Sequence, residues 1–380
     1  MGKSLSDVLI VGGGVIGCLT AYYLSKADHK VTLIEADQVA CGASGKSAGW
    51  LTPYSHANDP AMLALSPKSL DLHRTLSKVL PEETGVDYGF EETPFLRCAI
   101  TEEGVSELQS WQVERAAEGN AMEWISPSDI RQVNSWVTDR VLGGLLSNDE
   151  PTLDSYKFTH SSMQAAKKYG AKIVSGRVTG LVCDKRQGHS AGVTLEDGSM
   201  VEGGSVLLAM GPWTGAASAW TGSTFPIAPQ RGQLLYLSEP DNRHDVRVES
   251  GFSAVEAPVS IIRKRLSENL LGSTREDVGF DVSTTVSARE LLMSQFAMLS
   301  DRANSIGISA QTACLRPVTP DGRPYVGRAP LWDNVYVAAG HASEGIHYAP
   351  VTARVMADLI IDGETNVDIS ALSPARVDES

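Results

Sequence analysis

Arg316 stands between Leu315 and Pro317 in the stretch TACLRPVTPDGRPYVG, Thr312 to Gly327, and the nearest acid in sequence, Asp321, belongs to an Asp-Gly turn. An arginine without a local acid is a candidate anion receptor, because a planar guanidinium binds a carboxylate through two parallel, charge-assisted hydrogen bonds. A structural ion pair with a distant acid is the competing role. A second pattern lies near the other end of the chain. Gly12, Gly14 and Gly17 fill G-x-G-x-x-G, and Glu35 follows at the distance of one helix and one strand. Glycines at these places permit a tight turn, close approach of backbone to a pyrophosphate and close helix-to-strand packing, while the acid accepts ribose hydroxyls and repels a 2′-phosphate. This is ADP-binding chemistry, shared by FAD and NAD, and the spacing does not choose between them.

The unit that would position these glycines reads as a strand from Val8 to Val11, a helix from Val15 to Lys26 and a strand from Val31 to Ile34, with the pyrophosphate on the helix N-terminus. The loop ACGASGKSAGWLTPYS, Ala40 to Ser55, is rich in small residues. Such a loop lies close to a planar ligand or is simply a flexible connection. From Asp59 to Val79 the residues Met62, Leu65, Leu70, Leu72 and Leu76 recur as the core face of a helix. Residues 86 to 147 mix short pieces around Trp111, Trp124 and Trp136 and show no catalytic constellation.

Tyr156 to Tyr169 reads as a helix, followed by strands joined through glycine turns such as Asp197-Gly198. The apolar run Val206 to Met210 ends at Gly211, a second point where backbone would pass a dinucleotide. A strand-rich block from Phe225 to Thr274 precedes a helix from Ser287 to Ser300, and the chain closes with a strand, a Gly-His turn and a helix from about Tyr348. No repeat or linker separates these blocks. Two interleaved domains are therefore expected, one of residues 1–85, 148–222 and 312–380, the other of residues 86–147 and 223–311.

Composition bounds the function. The 380 residues are 42% hydrophobic and 21% charged, enough for a substantial core and two domains. The formal net charge of −14 argues against nucleic acid and anionic membranes and favours small-molecule chemistry. Cys18, Cys41, Cys98, Cys183 and Cys314 are scattered without C-x-x-C spacing, so neither a disulfide framework nor a metal site is indicated, and a cytoplasmic location fits. No cationic segment is followed by an apolar signal core, and no apolar run approaches the roughly 20 residues of a transmembrane helix. The opening MGKSLS carries the loose N-myristoylation pattern, Gly2 with Ser6, but a strand follows too soon for an acylated arm.

The ADP motif, GASGKSAGWLTP, SVLLAMGPW, CLRPVTPDGRPYVG and AAGHASEGIHYAPVTARVMADLI, in that order, resemble the D-amino-acid-oxidase-like flavoprotein superfamily in its glycine oxidase, sarcosine oxidase and D-amino acid dehydrogenase branch. The resemblance covers essentially the whole chain. It implies an α/β (α+β) fold in which a Rossmann-like FAD-binding domain interleaves with a β-sheet-rich substrate-binding domain. It also implies FAD as cofactor, and an oxidase or dehydrogenase that oxidises the C–N bond of a small amino acid or secondary amine by hydride transfer to flavin N5. The electrons then pass to O2 or another acceptor. A dehydrogenase serving a quinone or partner protein, and a non-catalytic flavin-binding assembly factor, are the alternatives.

Carried onto this chain, the resemblance places Gly12, Gly14, Val15, Ile16, Gly17 and Glu35 on the ADP half and Ser44, Ser47, Ala48 and Gly49 along the pyrophosphate and flavin. Val178 meets the adenine, Gly211 passes nearby, and Gly340, Ser343, Glu344, Gly345 and Ile346 follow the flavin's pyrimidine edge. Arg316 falls where such enzymes hold the substrate carboxylate. His341 either works at the flavin or orders its loop, and Trp50 either walls the substrate pocket or belongs to the core. Cys314 falls where sarcosine oxidases attach flavin covalently, yet Leu-Arg-Pro follows it where those enzymes have Met-Tyr-Thr. Non-covalent FAD is expected, with a link at Cys314 as the alternative. Ser260 or Ile261 replaces the tyrosine of glycine oxidases, Ser343 and Glu344 stand where those enzymes carry an arginine, and Asn269 to Gly272 lacks the lysine of monomeric sarcosine oxidases. Glycine is thus not singled out as substrate.

Overall fold

The computed structural model describes residues 6–53, 59–117, 122–183, 188–238 and 251–377; Gly2 and the Tyr54-Ser55 end of the small-residue loop lie outside them. Val8 to Val11 form an uninterrupted apolar run because the strand Ser6–Val11 is buried on both faces of a parallel sheet. It pairs in parallel with Val31–Glu35 on one side and Met200–Leu208 on the other. Lys172–Ser175 and Val335–Ala339 extend the parallel array outward, and Tyr325–Arg328 closes one edge antiparallel. On one face Leu19, Tyr22, Phe158 and Val351 join the helices Val15–Lys26, Ser155–Lys168 and Gly345–Ile361 in a common core. On the other face the strands Val178–Cys183 and Ser190–Leu195 pack Val178, Val193 and Leu195 against Leu9, Val11 and Val206.

The second sheet has eight strands, in the order Gly307–Val318, Ala228–Ser238, Asn269–Gly272, Ala257–Ile262, Gly251–Ala254, Phe95–Ala99, Gly143–Ser147 and Glu123–Ile125. Every pairing is antiparallel except that of Gly251–Ala254 with Phe95–Ala99. Helix Val286–Leu299 lays Leu292, Phe296 and Leu299 on Phe252, Ile261 and Leu271. The architecture is thus the mixed α/β fold expected, a Rossmann-like unit beside a sheet-rich one. The domain boundary drawn at residue 312 falls inside the strand Gly307–Val318, which pairs along its length with Ala228–Ser238 and sets Gln230 opposite Arg316 and Gly232 opposite Cys314.

Two helices differ in extent from the sequence reading. Helix Pro60–Thr84 starts on Asp59, whose carboxylate accepts from the backbone of Ala61 and Met62, and runs past Val79 to Gly85, left-handed at φ 74°. The last helix begins at Gly345, a turn before Tyr348, and no side chain caps its N-terminus.

Candidate active site

One cavity of about 1620 Å³ is lined by residues of both sheets. Small-ligand pockets run to roughly 300–1,000 Å³, so it has room for a dinucleotide together with a substrate. At one end lie Gly12, Gly13, Gly14, Val15, Ile16 and Glu35. Gly12 has φ 111°, and a Cβ there would lie 2.4 Å from the Ala209 carbonyl oxygen, so the turn admits glycine alone. Gly17 does not line the cavity; a Cβ there would meet the Gly12 carbonyl oxygen at 2.1 Å, the close helix-to-strand packing expected of the third glycine. The Glu35 carboxylate is oriented by the backbone N–H of Gly13 at 2.6 Å and of Asp37 at 2.8 Å. Ser44 accepts from the Val15 N–H at 2.9 Å, bringing the small-residue loop against the helix N-terminus.

At the other end Arg316 is 9% exposed. Its Nη2 donates to Ser273 Oγ at 2.7 Å, and its Nη1 to the carbonyls of Thr274 at 3.0 Å and Arg231 at 3.4 Å. Among the described residues no acid pairs with it: Glu276, the nearest candidate, is held by Arg231 at 2.7 Å and by Gln233. Burial pushes its pKa down, but a guanidinium stays charged at any physiological pH. A buried cation held only by neutral acceptors is incompletely compensated. The guanidinium lies over Gly232, where a Cβ would sit 2.1 Å from Nη2. Gly232→Ala is therefore expected to push the guanidinium out of place and weaken binding of a carboxylate ligand by about 1–3 kcal/mol, the usual effect of overpacking. Titration with the ligand checks this; unchanged affinity would remove the constraint.

Ser47, Ala48, Trp50, Val178, Gly211, Cys314, Gly340, His341, Ser343, Glu344, Gly345 and Ile346 all line the same cavity. Gly49 does not. Its φ of 62° and the Leu153 carbonyl oxygen, 2.1 Å from a would-be Cβ, account for the glycine by backbone packing. Trp50 stacks on Phe95 with centroids 4.2 Å apart, and its buried Nε1 has no partner among the described residues. His341 bonds Thr352 Oγ1 through Nε2 at 3.0 Å while Nδ1 has no partner among the described residues, and burial lowers its pKa to about 3, so the ring is neutral. Helix Pro60–Thr84 grips the first turn of the last helix: Ser69 donates to the His347 carbonyl at 2.6 Å and His73 to that of Ile346 at 2.9 Å.

A family model described as DAO, FAD dependent oxidoreductase, matches residues 7–359. The chain belongs to this family of FAD-dependent oxidoreductases. It is 30% identical over 382 residues to a glycine oxidase of Pseudomonas aeruginosa, covering 97% of this chain and 98% of that protein. It is 28% identical to a D-amino acid dehydrogenase of Xanthobacter autotrophicus, covering 98% and 99%. The crystal structure of glycine oxidase from Geobacillus kaustophilus superposes with a TM-score of 0.91 at 26% identity, over 98% of this chain and 99% of that one.

The residues present suit the family's cofactor: a glycine turn that no side chain could enter, an oriented acid at the end of the second strand, and unpartnered buried nitrogens on Trp50 and His341. Several lining residues escaped the sequence reading. Gly13 orients Glu35, Gly232 and Ser273 shape the bed of Arg316, and Lys46, Arg97, Trp111 and Arg275 also face the cavity. The middle glycine of a Gly-Gly-Gly run was visible as a candidate; the others come together only through strand register.

Proposed function

We propose that this protein oxidises the C–N bond of a small amino acid or secondary amine, such as glycine, sarcosine, a D-amino acid or a proline-like compound, to an imine, with the substrate carboxylate on Arg316. The observation that carries the reading is a buried guanidinium with no acid partner among the described residues, on the cavity that the glycine turn and Glu35 also line. FAD would supply the hydride acceptor for the C–H bond next to nitrogen. Gly12, Gly14, Val15, Ile16 and Glu35 would hold its ADP half, with Val178 and Gly211 alongside, and Ser44, Ser47, Ala48, Gly340 and Ser343 to Ile346 would flank the rest.

Arg316, fixed by Ser273 and Thr274, clamps the carboxylate and so orients the α-carbon within the site. Trp50, braced by Phe95, walls the pocket and limits the side chain the substrate can carry. His341 and His347 are both held neutral by burial, at about 3, and take up no proton near pH 7. If the amine arrives uncharged, no general base is required of the chain. The imine hydrolyses in water.

The Cys314 thiol is pushed up chiefly by burial, with Arg316 and Lys46 acting the other way, and a thiol kept protonated is a poor nucleophile. Non-covalent FAD follows. Acid precipitation should leave the yellow colour in the supernatant; flavin retained on the denatured protein, and lost in Cys314→Ala, would overturn it. A cytoplasmic setting suits the five free thiols. The function is tested by mixing the holoenzyme anaerobically with glycine, sarcosine, proline analogues and D-amino acids. Bleaching of the flavin absorbance by at least one is expected, and bleaching by none would refute the reading.

A further inference from the structure

Arg263, Lys264 and Arg265 place three cations in a row on the hairpin between strands Ala257–Ile262 and Asn269–Gly272. The outer two find acids: Arg263 lies 3.1 Å from Glu91, and Arg265 pairs with Asp87. Lys264 turns inward instead. Its ammonium is buried and donates to two backbone carbonyls, that of Ala48 and that of Leu153, the latter at 2.6 Å. Ala48 lines the cavity, and a Cβ on the next residue, Gly49, would lie 2.9 Å from Nζ. The same stretch is laced to residues 151–155: Leu153 N–H donates to Gly49 O and Leu51 N–H to Pro151 O, each at 2.8 Å, and Ser155 Oγ to Ser47 O at 2.9 Å. Lys264 enters this lacing from the second sheet.

We propose that Lys264 is the positioning residue that anchors the cofactor loop, Ser44 to Trp50, to the second sheet, and that FAD binding is linked to protonation of its amine. Carbonyl dipoles alone compensate a buried ammonium poorly. Asp154 is the acid that acts on it, and that carboxylate is engaged elsewhere: it caps helix Ser155–Lys168 through the Lys157 N–H at 2.9 Å, with Lys157 Nζ at 4.0 Å. The other charges near it are Arg263 and Arg265 on the hairpin with their acids Glu91 and Asp87, Glu268 at the end of the hairpin, which accepts from Ser309, and Lys46 on the loop.

Burial brings Lys264 down to about 7, with Asp154 opposing. A ligand that brings two phosphates against the loop favours the ammonium over the amine, so its binding takes up a proton wherever the free protein's amine is partly neutral. Affinity is then highest below the free protein's value and falls as pH rises through about 7 toward the higher value of the complex. The remaining buried groups of the cavity titrate outside this window: His341 and His347 are lowered to about 3, and Cys314 is raised.

The test titrates apoprotein with FAD at about pH 6.5 and about pH 9, following flavin fluorescence. Wild type should bind more tightly at the lower pH, by roughly tenfold for each unit by which the ligand lifts the amine. Lys264→Met should bind more weakly and with no slope. Asp154→Asn keeps a good helix cap but removes the acid, and should move the whole profile to lower pH, which serves should the Met variant fail to fold. Glu35→Ala, at the ribose end, should weaken binding at both pH values with the slope retained. A Met variant with the wild-type slope, an Asn variant whose profile does not move, or a Glu35→Ala variant that loses the slope would each overturn the proposal.

Discussion

Arg316→Leu should weaken the best amino-acid substrate by about 2–5 kcal/mol, the usual effect of truncating one partner of a desolvated charge pair, while FAD content stays near that of wild type. The loss belongs to KM, since the guanidinium meets the carboxylate in ground state and transition state alike, with kcat falling as well to the extent that the α-carbon is no longer oriented. Arg316→Lys should recover only part of the affinity. A lysine offers a point charge rather than a fork, and it forfeits the bonds that Arg316 makes to Ser273 and Thr274. Steady-state kinetics on the two variants, with FAD content read from the absorbance ratio, check this; wild-type KM in Arg316→Leu would remove the clamp.

Arg97→Met should lower folding stability by about 3–5 kcal/mol, the usual result of breaking a buried ion pair by removing one partner. Arg97 makes two parallel bonds to Glu150, at 2.5 and 2.8 Å, and the Glu150 side chain is fully buried. The guanidinium also lies 4.9 Å from the ring centre of Phe95 and 4.8 Å from that of Trp111. Adding Glu150→Gln should restore part of the loss. Thermal unfolding of the three proteins decides it; an Arg97→Met melting curve that overlays wild type would show that the pair contributes nothing.

The cofactor end was legible in sequence because its signals are local. A buried parallel strand reads as an unbroken apolar run, the glycines mark the turn, and the acid closes the second strand. Arg316 was legible by the lack of any acid around it. Its bed was not, because Ser273, Thr274 and Gly232 reach it only through the register of strands more than 40 residues apart in sequence. Arg97 and Glu150 lie 53 residues apart, in a stretch without a motif, and only the fold brings the two side chains together. Gly49 shows the converse. A small-residue loop beside the acid suggested approach to a ligand, whereas the missing side chain makes room for the Leu153 carbonyl and the Lys264 ammonium. The last helix starts a turn early because His73 and Ser69, read as part of a plain core helix, hold the carbonyls of its first residues.

A carboxylate clamp on Arg316 ties the choice of substrate to C–N oxidation. The decisive measurement is anaerobic flavin reduction by the best amino acid beside the amine that differs from it only by loss of the carboxylate. The amino acid should bleach the flavin quickly in wild type and poorly in Arg316→Leu, and the amine poorly in both. Equal bleaching of wild type by the amine would contradict the account, because the guanidinium would then have no part in choosing the substrate.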